Sequence, residues 1–197
     1  MMAELALGIT LAVASYFIGN ISPAILIGRM YGIDIKKEGS GNAGTTNVLR
    51  ILGRKAAAAT LVIDILKGVA AVMLGKYICG FDVGLICGVA VFCGHIWPVI
   101  FKFKGGKGVA TALGVIITTA PVIGAGLLVF AVALIALSRR VSVGAVIAAF
   151  IFPFAVFFYD RNLMLWSIIL AVIVLIKHRS NIKRLLKGEE PKLNFKK

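Results

Sequence analysis

Two glycine-rich, cationic stretches interrupt an otherwise apolar chain: Gly39-Ser40-Gly41-Asn42-Ala43-Gly44-Thr45-Thr46-Asn47-Val48-Leu49-Arg50 and Lys102-Phe103-Lys104-Gly105-Gly106-Lys107-Gly108-Val109-Ala110-Thr111. Glycine lets backbone N–H groups converge on a ligand, and Arg or Lys beside them supplies fixed positive charge, so each stretch has the makings of a phosphate cradle. Ser40, Asn42, Thr45, Thr46 and Asn47 add side-chain donors for phosphate oxygens; their plainer role is to cap the following helix. Arg50 brings a planar fork suited to a phosphate dianion, or alternatively an interfacial anchor. Gly39-x-Gly41-x-x-Gly44 matches a dinucleotide fingerprint in spacing only, because no strand precedes it. Gly-Gly-Lys-Gly lacks the early glycine and trailing Ser/Thr of a P-loop.

A third polar segment, Lys177-His178-Arg179-Ser180-Asn181-Ile182-Lys183-Arg184, follows the last apolar run. If its helix continues, His178 and Asn181 stand at i and i+3 on one face and address one pocket. A basic flank to a membrane span explains the cations equally well, but not the His and Asn. Ser142 opens a later helix as a helix-start hydroxyl or a phosphate contact. His95, just before Trp97-Pro98, reads as a structural or orienting residue. Asp64 and Lys67, at i and i+3 inside an apolar run, are expected to neutralise each other, since isolated charges in a bilayer are expensive. Conventional catalytic machinery is missing. No Asp lies five positions after either histidine, where Ile100 and Lys183 stand, and no Ser-His-Asp set, HExxH or acidic cluster for Mg²⁺ can be assembled. A reaction at these residues needs a substrate that arrives already activated, and no metal or cofactor is expected.

The elements that must position these residues are membrane spans. With 60% hydrophobic residues and a mean hydropathy of +0.99 in 197 residues, the apolar runs cannot all be buried in a soluble domain. The net charge of +14 sits in short polar breaks rather than on an aromatic-bearing soluble face, which argues against nucleic acid and for topology, anionic lipid and anionic substrates. Runs at 3–28, 56–78, 83–101, 109–137, 141–158 and 163–176 suggest six helices. The positive-inside rule puts both Lys104 and Arg139 on the cytoplasmic side, so 109–137 must be crossed an even number of times. Pro121 is placed to start a new helix, dividing that run into 109–119 and 121–137. The chain is therefore expected to be an all-α integral membrane protein, a polytopic bundle of seven transmembrane helices, two of them short, with the N-terminus outside and the C-terminus cytoplasmic. The first run lacks a basic flank and cleavage site and is read as a retained span. Residues 1–197 form one membrane-embedded domain with a charged, partly frayed tail over 185–197. Cys79, Cys87 and Cys93 lack CxxC spacing and read as small membrane-embedded hydrophobes. Gly114, Gly124 and Gly126 read as sites of close helix packing.

Taken together, Ser40-Gly41-Asn42-x-Gly44-x-x-Asn47-x-x-Arg50, Gly94-His95 through Pro98, Lys104-Gly105-Gly106-Lys107-Gly108-x-Ala110-Thr111 and His178-Arg179-x-Asn181-Ile182 with Gly188-Glu189 downstream resemble the bacterial acyl-phosphate:glycerol-3-phosphate acyltransferase family (PlsY). Order and spacing agree over nearly the whole chain. Ser180 departs from the pattern, standing where many members carry an acidic residue. The resemblance implies a multi-pass enzyme of the bacterial inner membrane with its site facing the cytoplasm. It would pass a fatty acyl group from acyl phosphate to the 1-hydroxyl of glycerol 3-phosphate, the first acylation of phospholipid synthesis, giving lysophosphatidic acid and phosphate. It further implies catalytic roles for Ser40, Arg50, Lys107, His178 and Asn181. Gly41, Asn42, Gly44, Thr45, Thr46, Asn47, Lys104, Gly105, Gly106, Gly108, Thr111 and Ser142 would bind substrate. Partners are the two substrates and membrane lipids, with no obligatory protein partner. A transporter of an organic phosphate is the main competing reading, though it predicts polar residues spread through the membrane depth. A metal-dependent transferase of phosphorylated lipids would want clustered acids.

Overall fold

An apolar chain in a bilayer must satisfy its backbone internally, and the described residues, 2–193 of the computed structural model, do so with helices and no strand. They divide into two compact units at Thr119/Ala120.

The first unit contains α1 (Met2–Asn20), α2 (Pro23–Met30), α3 (Thr45–Leu52), α4 (Arg54–Cys79), α5 (Phe81–Ile96) and α6 (Val109–Thr119). The first apolar run is thus not one continuous helix. It breaks at Ile21-Ser22, where Pro23 takes the first position of α2 and has no N–H that would need an intrahelical acceptor. Helix α1 packs on α5, and α4 packs on both α5 and α6. These approaches are backbone against backbone: a Cβ on Gly94 would overlap the Tyr16 carbonyl, and one on Gly114 would overlap the Ile65 carbonyl. Gly126, by contrast, has nothing within 4 Å of where a Cβ would stand. A separate apolar cluster of Ala24, Ile25, Ile35, Ala43, Val48, Ala56 and Ala57 joins α2, α3 and the start of α4 to the loop between α2 and α3. That cluster is what fixes the first polar segment.

The second unit contains α7 (Pro121–Ser138), α8 (Val141–Tyr159), α9 (Met164–Lys177) and α10 (Arg179–Leu186). Pro121 opens α7 as the sequence leads one to expect, and α6 and α7 are distinct helices. Arg139 adopts a left-handed conformation (φ 55°) that turns the chain sharply into α8. Helix α8 packs against both α7 and α9, with Phe152 and Trp166 edge to face at 5.5 Å.

Met2–Met30, Arg54–Cys79, Phe81–Phe101, Pro121–Ser138 and Val141–Tyr159 are each long and apolar enough to cross a membrane, and α9 with α10 qualifies as a pair bent by 61°. With 11 residues, α6 rises only about 16 Å, roughly half a hydrocarbon core. Length alone therefore supports five or six crossings. Within the tail, the Glu189 N–H donates to Arg184 O at 2.8 Å and the Leu193 N–H to Arg139 O at 2.6 Å. The remainder of the tail, 194–197, lies outside the described residues.

Candidate active site

The first polar segment is organised by one side chain. Asn47, fully buried in α3, donates its amide to the carbonyls of Ile35 and Glu38, both at 3.0 Å, and accepts the Ser40 N–H at 2.9 Å. Its hydrogen-bonding groups shape the loop rather than face outward. Gly39 has to be glycine here, with φ at 58° and a Cβ position that overlaps Asn47 Oδ1. The result leaves the Ser40 side chain exposed, with Asn42, Thr45 and Thr46 half-buried around the start of α3. Gly44 is the N-cap of that helix, and no side chain caps it, so the plainer capping role of these donors is not the one they play. Arg50 lies half-buried in the last turn of α3.

The second segment folds flat onto the end of α5. The N–H groups of Gly105 and Gly106 donate to the carbonyls of Ile96 and His95, at 3.2 and 3.1 Å, closing the excursion 97–104 at its base. A Cβ on Gly105 would overlap the His95 carbonyl, and one on Gly108 would overlap the Phe92 ring. Gly106 is the joint between segments: a Cβ there would overlap His95 Nε2 and come within 2.8 Å of the Ala43 carbonyl. The two glycine-rich segments therefore meet, and only a glycine lets them. Lys107 is half-buried at this joint, and Lys104 is exposed. Thr111 lies fully buried on α6, its carbonyl against Gly68 of α4. Around the first segment the cations crowd. Burial holds the Lys36 ammonium below its ordinary pKa, helped by Lys104 and Arg29 and opposed by Asp34, and its Nζ sits 5.1 Å from the centroid of the Phe101 ring. Clustered fixed cations of this kind favour an anion beside them.

In the second unit the bend between α9 and α10 falls on His178, so the helix does not run straight on through His178 and Asn181. Both are nevertheless buried, and the Ile182 N–H still reaches the His178 carbonyl at 2.8 Å. His178 Nδ1 lies 2.8 Å from the Val174 carbonyl, an acceptor only, so Nδ1 carries a proton and Nε2 is the nitrogen able to accept one. Asn181 donates to Glu190 Oε1 at 2.7 Å, as does the Ser142 hydroxyl at the same distance. Arg184 Nε meets Glu190 Oε2 at 2.7 Å, and Arg140 Nε donates to the Glu190 carbonyl at 2.9 Å. Burial pushes the Glu190 carboxyl upward, but hydrogen bonds from Ser142, Asn181 and Arg184, with the Arg184 charge, outweigh it and leave the pKa below its ordinary value.

Sequence reasoning passed over Glu190. It looks like one more charge in a polar tail, and only the pairing with Ser142, 48 positions earlier, reveals it as the centre of a network. Ser142 accordingly is more than a helix-start hydroxyl: it donates to this carboxylate.

A family model described as glycerol-3-phosphate acyltransferase matches residues 9–188. Glycerol-3-phosphate acyltransferase of Thermoanaerobacter sp. (strain X514) is 47% identical over 188 residues, covering 94% of this chain and 95% of that one. The enzyme of the same name from Trichlorobacter lovleyi is 43% identical over 181 residues, covering 90% and 93%. Among solved structures, the glycerol 3-phosphate form of PlsY, an integral membrane glycerol 3-phosphate acyltransferase, superposes with a TM-score of 0.91 at 33% identity, over 95% of this chain and 96% of that one. Its lysophosphatidic acid form gives 0.88 at the same identity and coverage. A match over nearly the full length in both sequence and fold leaves one conclusion: this chain belongs to the glycerol-3-phosphate acyltransferase family and is an integral membrane acyltransferase.

Proposed function

We propose that the enzyme joins a fatty acyl group from acyl phosphate to the 1-hydroxyl of glycerol 3-phosphate, forming lysophosphatidic acid and phosphate. The observation that carries this reading is the meeting of two cationic glycine-rich segments at Gly106, which gives one anion-binding surface rather than two isolated turns. The relatives solved with glycerol 3-phosphate and with lysophosphatidic acid support the acceptor and the product. A transporter reading draws no support from these relatives.

The chemistry asks little of the protein beyond placement. Acyl phosphate is a mixed anhydride with an electrophilic carbonyl and a competent leaving group. The acceptor oxygen attacks the carbonyl carbon, the bond from that carbon to the phosphate oxygen breaks, and phosphate departs. Ser40, Arg50, Gly41, Asn42, Gly44, Thr45 and Thr46 line one phosphate subsite in this reading, with Asn47 shaping the loop that carries them. Lys104, Gly105, Gly106, Lys107, Gly108 and Thr111 line the other, and Ser142 is a further substrate-binding residue. His178, through Nε2, and Asn181 orient the acceptor hydroxyl or the reacting carbonyl. A phosphate oxygen of the donor takes the hydroxyl proton. If instead His178 takes it, the pH–rate profile acquires a limb that His178→Ala abolishes.

For the membrane we propose seven crossings, α6 being a short one, with the N-terminus outside and the catalytic face towards the cytoplasm of the inner membrane. Nineteen of the 22 Lys and Arg residues then lie on the cytoplasmic side, with Lys76 and Arg161 outside and Lys67 within a span.

Reconstituted protein given acyl phosphate and glycerol 3-phosphate, without metal or coenzyme A, should release phosphate and lysophosphatidic acid in equal amounts. Failure of a folded preparation to make either would overturn the proposal. Asn47→Asp tests the loop: the isosteric carboxylate replaces two donated bonds by repulsion from the Ile35 and Glu38 carbonyls, so kcat/KM should fall at least about tenfold. An unchanged value would remove the loop from the site.

A further inference from the structure

The first unit contains a group of buried charges that the proposed reaction does not use. Lys67 Nζ on α4 lies 2.8 Å from Asp64 Oδ1, the ion pair anticipated from their spacing. The same nitrogen is 2.7 Å from His95 Nδ1 on α5 and within 3.2 and 2.9 Å of the Gly19 and Ile21 carbonyls, at the break between α1 and α2. Asp64 Oδ1 is also 3.3 Å from His95 Nδ1. All three side chains are buried. An ammonium and a ring nitrogen separated by a hydrogen-bond distance must share one proton and one lone pair. With the Asp64 carboxylate beside it, Lys67 is the cation and the donor, so His95 Nδ1 is the acceptor. A neutral imidazole that accepts at Nδ1 carries its proton at Nε2. His95 Nε2 is the atom that lies against Gly106, where the two glycine-rich segments meet, and the His95 carbonyl receives the Gly106 N–H.

We propose that His95 is a positioning residue for acyl transfer: the Asp64–Lys67 pair fixes its ring, the Nε2 edge of that ring packs against Gly106, and the His95 carbonyl accepts the Gly106 N–H, so that together they hold Gly106, and with it Lys107, at the phosphate site. This rests on the reading of the Lys104–Thr111 segment as a phosphate subsite. The charges, which otherwise only burden the membrane interior, acquire a purpose. Lys67 gathers the break in the first span, the end of α5 and the loop beyond it onto one ammonium, so the geometry of the glycine joint is set from inside the bilayer.

Position-selective rescue tests it. Gln at position 95 fills the space of the Nε2 edge against Gly106 but offers Lys67 no acceptor at the Nδ1 position, whereas Asn can meet Lys67 and does not reach Gly106. His95→Asn is expected to raise KM for glycerol 3-phosphate or acyl phosphate at least about tenfold with kcat changed less. His95→Gln should recover most of that loss, and both variants should keep the wild-type melting temperature within a few degrees. Equal activity of the two variants, or losses that follow melting temperature alone, would overturn the inference by reducing His95 to a packing residue. Lys107→Ala, assayed in parallel, separates the two levels of argument. If it loses activity while His95→Asn does not, only the role of His95 is refuted. If Lys107→Ala is itself fully active, the phosphate-subsite reading fails and His95 has nothing to position.

Discussion

Replacing Glu190 by Ala is expected to lower kcat/KM by about a hundredfold or more while leaving the first unit folded. Glu190 is the shared acceptor for the Ser142 hydroxyl and the Asn181 amide, and its second oxygen pairs with Arg184. Removing it takes the acceptor from two buried donors at once, a cost of about 3 kcal/mol to the local arrangement. Asn181 follows His178 by one helical turn across a bend of 61°, a geometry that the helix ladder alone does not enforce. Losing about 3 kcal/mol of organisation in the reacting complex is a factor of about 150 in rate. Steady-state kinetics should show the fall chiefly in kcat, because the proposed phosphate contacts of the glycine-rich segments are left in place. A loss confined to KM would mean that Glu190 serves binding, not the arrangement of His178 and Asn181. The same residue predicts a pH effect. Its folded pKa lies below the ordinary 4.5, so its contribution to stability is fully present above the unfolded value and disappears as pH falls through the folded one. Melting of the wild type should therefore weaken as pH is lowered below 4.5, and Glu190→Gln should lack that component.

How much of this could be read from the chain depended on whether the cause was local. Pro121 divides a long apolar run because a proline has no N–H to donate into a preceding turn and suits the first position of a new helix, and that holds in any surroundings. The Asp64–Lys67 pair follows from spacing of three on one helix. The two glycine-rich segments stood out because glycine and cations are conspicuous among apolar residues. The break at Ile21-Ser22 is harder, since hydrophobicity continues through it and the Lys67 ammonium that accommodates its carbonyls comes from 46 positions away. The bend at His178 carries no glycine or proline to announce it. His95 and Lys67 are 28 positions apart on different helices, and Glu190 finds Ser142 across 48. In each of these, the residue type says that a partner is required, and only the fold says which.

Gly106→Ala is expected to lower kcat/KM about a hundredfold or more. The added Cβ would strike the His95 imidazole and approach the Ala43 carbonyl to 2.8 Å. One obstacle is a ring held by Lys67 and the other is backbone, so neither yields as a flexible side-chain end would. The segments would be pushed apart, moving Lys107 away from the loop that carries Ser40. A misplacement of about 1 Å at a reacting centre is enough to cost about two orders of magnitude. Gly126→Ala is the matched control: the same methyl on a membrane helix meets nothing within 4 Å, so activity should stay within about twofold, with a small gain in melting temperature. Near-equal activity of the two variants would show that the segments do not depend on close approach, and the case for a single composite phosphate site would go with it. Adding His95→Ala to Gly106→Ala removes the ring but leaves the Ala43 carbonyl in place, so the double variant should recover little. Full recovery would mean that the ring alone set the limit and that Gly106 serves His95 rather than the junction of the two segments.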